Sequence, residues 1–310
     1  MLKMPTQPQT IRQVSSLSMK LYGYSFFDAL PYSLALSMVI QAPFLGYGQN
    51  NSGLQHLLFK NEVTQTGLPG SIIRFTESLA INLPLTLLGL ILFAALICKM
   101  NSVMSHKIMS LTEGFVIGVR KLPQMFLLTI LYNFLCAMGF ILLATVFFAN
   151  PTDTHGFADV LHDAALTLNH LSGTLFFFTM LFIFLSLPSV YFSIAVAFSF
   201  GNLLVFHQSI KRAILQSLIM AWGNFWRIAT VLSIPLTAYS ILFALCGCLV
   251  SVVLGPHGMQ NKADVESMFS IFLTLLNTLM FPCVIAFYLT QLYDLKSRHA
   301  AKETLARLSS

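Results

Sequence analysis

Charge is what this chain has least of. Only 9% of its 310 residues are Asp, Glu, Lys or Arg, where a soluble domain carries about a quarter. With 56% hydrophobic residues and 28 Phe, there is too little polar surface to clothe a water-soluble globule. Alternating apolar and polar segments of about ten residues are also missing, which excludes a transmembrane β-barrel. The apolar stretches are instead continuous and about 20 residues or longer, the length a helix needs to cross a hydrocarbon core about 30 Å thick. Cysteine is sparse and placed where it excludes two further classes. Cys98, Cys136, Cys246, Cys248 and Cys283 all fall inside apolar runs, so neither a disulfide framework nor a paired-cysteine metal site is expected. No GxSxG, Walker, dinucleotide-binding or kinase pattern occurs, and no catalytic centre or cofactor is expected.

What is present is an all-α membrane domain, residues 1–310, with six spans at about 26–47, 78–98, 125–149, 174–204, 228–254 and 268–293. The first run follows a polar leader and lacks a small-residue cleavage site, so no cleaved signal peptide is expected. Fourteen of the 17 basic residues fall on one side of these spans, in the N-terminal segment, the second and fourth loops and the tail 294–310. Lys60, Arg74 and Lys262 fall on the other. The positive-inside rule then puts both termini in the cytoplasm of a bacterial cell, with the spans in its inner membrane. The net charge of +6 is dispersed among separate loops. It reads as topology and attraction to anionic headgroups, not as a nucleic-acid surface.

Two local features refine the plan. From Thr174 to Phe206 the chain is nearly uncharged, too long for one upright crossing, and Pro188 near its middle predicts a bent, tilted helix. Asn150-Pro151 marks the stop of the third span. Three segments begin with serine and run 13 residues to a turn: Ser18 to Pro31, Ser110 to Pro123 and Ser209 to Trp222. Each is amphipathic and precedes an odd-numbered span. Three repeated units are therefore expected, each a short interfacial helix in the cytoplasmic headgroup layer followed by two spans.

The stretch from Gly201 to Ile228, GNLLVFHQSIKRAILQSLIMAWGNFWRI, follows the Pro188-Ser189 break. It resembles uncharacterised bacterial inner-membrane proteins of the YciC-like type, and the membrane domain attached to some glycerophosphodiester phosphodiesterases. In those families a broken long span leads to a short helix with Ala and Ser, here Ala213 and Ser217, and then to a basic or aromatic turn. This chain departs from the pattern at Ser189, where a Gly is usual, and at His207-Gln208-Ser209, which replaces a Glu and Gly. The resemblance implies a six-span envelope protein. The phosphodiesterase activity is not carried over, because the 310 residues hold no soluble phosphodiesterase domain.

Several polar residues are candidates for chemistry. His155, Asp159, His162, Asp163 and His170 recur at helical spacing. Asp159, His162, Asp163 and His170 could present carboxylate and imidazole to Zn²⁺ or Mn²⁺, or form a solvated surface helix. Asp28 stands at the mouth of the first span, where it serves either cation coupling or a helix cap. Asn82, Asn133, Asn277 and Gln41 lie within spans, as helix-to-helix glue or as steps of a solute path. Arg120, Lys121, Lys211, Arg212, Trp222, Trp226 and Arg227 form the expected lipid interface, with aromatic rings at headgroup level and cations reaching phosphate. The leading expectation is a non-catalytic protein of envelope or lipid homeostasis, whose partners are the phospholipid bilayer and other membrane proteins or further copies of itself. A transporter or channel and a metal-dependent enzyme at the outer face are the alternatives.

Overall fold

The computed structural model describes residues 7–45, 68–148, 190–258 and 262–308. They form seven helices and no strand: α1 (Ile11–Leu45), α2 (Leu68–Met104), α3 (Leu111–Phe148), α4 (Val190–Val205), α5 (Ile210–Ala221), α6 (Phe225–Gly258) and α7 (Lys262–Leu308). α1 and α7 lie side by side at the centre. α2 packs on the other flank of α1, α3 packs on α2, and α6 packs on α7. α4 sits against α7 through Phe198, whose ring stacks on Tyr288 at 5.2 Å between centroids, and meets α2 through Phe93 and Phe200.

The distribution of side chains is the reverse of a soluble bundle. α1 turns Ser18, Ser25, Ser33 and Ser37 inward, all fully buried, with Ala29 among them. Phe27 and Tyr24 on the same helix are 81% and 67% exposed. Phe134 of α3, Leu236 and Leu245 of α6 and Leu275 of α7 are likewise exposed. A helix that buries small hydroxyls and exposes large apolar side chains is built for lipid, where association comes from close backbone approach and interhelical hydrogen bonds. The hydroxyls are used in this way. Ser33 Oγ donates to the Thr278 carbonyl on α7 at 2.6 Å, and Ser18 bonds Thr290 on the same helix. Four helical stretches are long and apolar enough to cross a membrane: Asn82–Met104, Leu111–Leu135, Phe225–Leu249 and Met268–Leu308. The chain has the make-up of a membrane protein.

The second, third, fifth and sixth expected spans each overlap one of these four stretches, the third only over 125–135. α1 covers most of the first expected span but is not one of the four; Asp28, the buried serines and Gln41 dilute its hydropathy. Of the fourth, only Val190–Val205 is described, and Pro188 lies outside the described residues.

The interfacial helices differ from expectation. Only the third, α5, is a separate short helix. In the first two units the segment and the span are one continuous helix, α1 and α3, and Pro123 lies inside α3 without ending it. The reason is local. Proline removes one N–H and crowds the carbonyl four residues back, and a helix continues past both when flanking turns stay intact. After α5, by contrast, Gly223 takes φ +77° and reverses the chain. The first unit also starts earlier than its expected Ser18. α1 begins after Thr10, whose Oγ1 accepts from Gln13 N–H while Gln13 Oε1 accepts from Thr10 N–H, a reciprocal cap. Ser110 and Glu113 cap α3 in the same way. The expected tail 294–310 continues α7 as helix to Leu308.

Two glycines separate close packing from open surface. A Cβ on Gly118 of α3 would stand 2.7 Å from the Ile91 carbonyl oxygen and 3.2 Å from Ile91 Cα, backbone atoms of α2 that cannot rotate away. One on Gly23 would meet nothing within 4 Å. Gly118→Ala should lower the melting temperature of the purified protein, because overpacking of about 1–3 kcal/mol exceeds the helix-propensity gain of about 1 kcal/mol. Gly23→Ala should raise it. Equal shifts in the two variants would contradict the α2–α3 crossing.

Candidate functional site

The polar chemistry of the described residues gathers at one end of the bundle, where α2 and α4 stop and α3, α5 and α6 start. Two turns of the same kind build it. α2 ends at His106 and α4 at His207, each with φ 53°, a left-handed conformation uncommon for a side-chain-bearing residue. After each, the next N–H bonds back over the helix end: Lys107 N–H to the Ser102 carbonyl at 3.0 Å, and Gln208 N–H to the Asn202 carbonyl at 3.3 Å. The first is a helix stop of the Schellman kind, and the second closes one residue wider. Each is preceded by an asparagine five residues before the histidine. Asn101 Oδ1 accepts from the Tyr293 hydroxyl of α7 at 2.7 Å, and Asn202 Nδ2 donates to the Ala213 carbonyl of α5 at 3.3 Å.

Between the two turns lies a pocket of roughly 440 Å³. Its lining includes the apolar Ile117, Leu204 and Val205 and the polar Asn101, Lys107, Glu113 and His207. A second cavity, of roughly 570 Å³, lies between α1, α2 and α7. Its lining is apolar apart from Asn82 and Thr86, and the Thr86 hydroxyl is spent on the Asn82 carbonyl at 2.7 Å.

A buried ion cluster closes the same end. Asp294 of α7 is fully buried. Its Oδ1 accepts the Gln9 N–H at 2.7 Å, and its Oδ2 faces Arg227 Nη2 at 3.0 Å and Arg298 Nε at 2.9 Å. Arg227 Nη2 also donates to the Gln9 carbonyl at 2.5 Å, and Arg298 donates to the same oxygen. One carboxylate and one peptide oxygen thereby hold two guanidinium groups, and the cluster ties the segment before α1 to α6 and α7. Buried charge is tolerated only when paired and hydrogen-bonded on all sides, and both conditions are met here.

The expected lipid-interface residues divide accordingly. Arg227 is turned inward to Asp294, its side chain 16% exposed. Lys121 Nζ donates to Gln124 Oε1 at 3.4 Å, and Arg120 lies exposed on α3. Lys211 and Arg212 are exposed on α5 without a partner among the described residues. Trp222 and Trp226 stand out at 76% and 77% exposure. Asp28 is exposed and pairs with Lys99, Nζ to Oδ1 3.9 Å, so it forms a surface contact between α1 and α2. Lys99 Nζ also donates to the Met109 carbonyl at 2.8 Å.

The span asparagines are not brought together. Asn133 is exposed, Asn277 is buried and accepts from the Tyr239 hydroxyl at 2.9 Å, and Asn82 lines the apolar cavity. Gln41 is buried. His155, Asp159, His162, Asp163 and His170 lie outside the described residues, and no metal-ligating cluster occurs among the described ones. Sequence reasoning missed the Asp294 cluster and the pocket. The signal for the first was a lone acid in the basic run Tyr293 to His299. The second had none beyond two histidines ahead of two helix starts.

Asp294→Ala should destabilise the protein by about 3–5 kcal/mol, the usual cost of leaving buried charges unpaired. Limited proteolysis should also cut ahead of Ile11 faster, since Gln9 loses its anchor. A melting temperature within a degree or so of the parent, with unchanged cleavage, would mean that the cluster does not hold the N-terminal segment.

Compared with protein-family models, with curated proteins and with solved structures, the chain finds no match in any of the three.

Proposed function

We propose that this is a non-catalytic inner-membrane protein of bacteria, with six spans and both termini in the cytoplasm, that works in envelope or lipid homeostasis by binding phospholipid headgroups at its cytoplasmic face. The observation that carries the reading is α5. Its inner face, Ala213, Ser217, Met220 and Ala221, is buried, and the Ser217 hydroxyl is spent on the Ala195 carbonyl of α4. Its outer face leaves Leu215 at 60% and Ile219 at 47% exposure, with Trp222 and Trp226 beyond them and Lys211 and Arg212 at its start. Exposed apolar residues flanked by cations and indoles suit the boundary between acyl chains and anionic headgroups.

The three-unit organisation belongs to the same proposal, in a new register. Thr10, Ser110 and Ser209 stand at the N-cap positions of α1, α3 and α5, and Asn101, Asn202 and Asp294 each precede a histidine by five residues, near the ends of α2 and α4 and within α7. This pattern supports the repeat better than the Ser18 frame. The likeness of Gly201 to Ile228 to the YciC-like proteins agrees with it, since α5 is the helix bearing Ala213 and Ser217.

Native mass spectrometry of the full chain in mild detergent tests the reading. The parent should retain anionic phosphatidylglycerol over phosphatidylethanolamine, and the double variant Lys211→Gln/Arg212→Gln should lose that preference by about tenfold, two interfacial charges being removed. An unchanged lipid ratio in the folded variant, or turnover of a substrate by lipid-free protein, would overturn it.

A further inference from the structure

The pocket between the His106 and His207 turns has features that the α5 surface lacks. At roughly 440 Å³ it falls within the range of small-ligand sites, about 300–1,000 Å³. Three hydrogen-bond donors on its wall have no partner among the described residues: the Asn101 amide Nδ2, the Lys107 ammonium and the His207 imidazole. They come from three elements: α2, the turn after it and the turn after α4. Asn101 is held in one orientation, because its Oδ1 is occupied by the Tyr293 hydroxyl at 2.7 Å. Its Nδ2 is thereby left for a ligand. Lys107 is the cation of the lining and Glu113 its one carboxylate, whose Oε2 already accepts the Ser110 N–H at 3.0 Å at the start of α3. An ammonium beside an amide donor and an imidazole suits an anion.

The apolar part of the lining selects what the anion is attached to. Ile117, Leu204 and Val205 line the same pocket as the donors, and the site lies at the end of apolar helices. We infer that the pocket binds an amphiphilic phosphate monoester, with the phosphate on Asn101, Lys107 and His207 and the first part of an apolar chain over Ile117, Leu204 and Val205. A monoester offers three terminal oxygens to three donors, where a diester offers two. The inference rests on the membrane placement but not on the α5 reading, since Lys211 and Arg212 are not among the pocket's lining residues.

The test is a native mass spectrometry titration of the full chain in detergent with three probes: oleoyl lysophosphatidate, oleoyl lysophosphatidylcholine and glycerol 3-phosphate. Lysophosphatidate should bind at least tenfold tighter than either of the others. Lys107→Gln, an exposed loop change, should weaken it by about tenfold, in keeping with one charge-assisted contact. His207→Gly should do the same while keeping the turn, because glycine adopts φ near 53° freely. Lys211→Gln/Arg212→Gln should leave it unchanged, so loss of the α5 preference and loss of this site are separable. Equal binding of the two lysolipids, or full affinity in Lys107→Gln, would overturn the phosphate assignment. Glycerol 3-phosphate binding as tightly as the lysolipid would overturn the apolar half and make the ligand a soluble phosphate ester.

Discussion

The described bundle depends on how closely α1 can lie against α7. In lipid there is no hydrophobic gain in bringing two helices together, because acyl chains are as apolar as leucine. Ser18, Ser25, Ala29, Ser33 and Ser37 supply what is needed instead: little bulk, and hydroxyls that reach α7 at Thr278 and Thr290. The remaining helices hang on this pair. α2 packs on α1, α3 on α2 and α6 on α7, and α4 reaches α7 where Gly201 N–H donates to the Tyr288 hydroxyl at 2.6 Å. A bulky side chain in the serine stripe would therefore move two flanks of the bundle at once, whereas the exposed Phe27 or Leu275 is replaceable by any residue that lipid accepts.

The same economy governs the polar end. α2, α4 and α7 each carry an amide or carboxylate at the polar end of the bundle, and each ties a different element: Asn101 to α7, Asn202 to α5, Asp294 to the segment before α1. The third position is a carboxylate for a physical reason. α2 and α4 turn back after the asparagine, but α7 runs on to Leu308 and brings Arg298 one turn later onto the same face. With Arg227 arriving from α6, an amide there would leave two part-buried guanidinium groups without a counter-charge.

Much of this was legible in the sequence and some was not, for reasons that sort by interaction. The apolar lengths gave spans at about 78–98, 125–149, 228–254 and 268–293 that overlap the four long apolar helical stretches, because lipid thickness translates into residue count. The amphipathic character of α5 was legible for the same kind of reason, a period of 3.6. Proline was a poorer guide. Pro123 was expected at a junction but sits within α3, since proline removes one bond while the neighbouring turns decide whether the helix ends. Contacts between distant residues were not legible at all. Asp294 lies 285 positions from Gln9, and nothing in the order of residues says that Arg227 faces that acid and not a lipid phosphate.

That last point bears on how basic residues in membrane proteins are read. Counting Lys and Arg treats them as equivalent, which is sound for topology, because orientation responds to charge near the spans. Ligand binding responds only to charge that the protein has not already neutralised. Lys99 is paired with Asp28, Arg227 and Arg298 with Asp294. Lys107, Lys211 and Arg212 have no partner among the described residues, and they lie on two surfaces of different chemistry. Lys211 and Arg212 lie exposed on a helix beside exposed indoles, where a cation distinguishes an anionic from a neutral headgroup by charge alone. Lys107 lines a concavity that also holds an oriented amide and apolar side chains, where a bound ligand would displace water. Concavity turns a diffuse attraction into selection, because only there does a ligand lose its hydration on several sides at once and need every lost bond replaced.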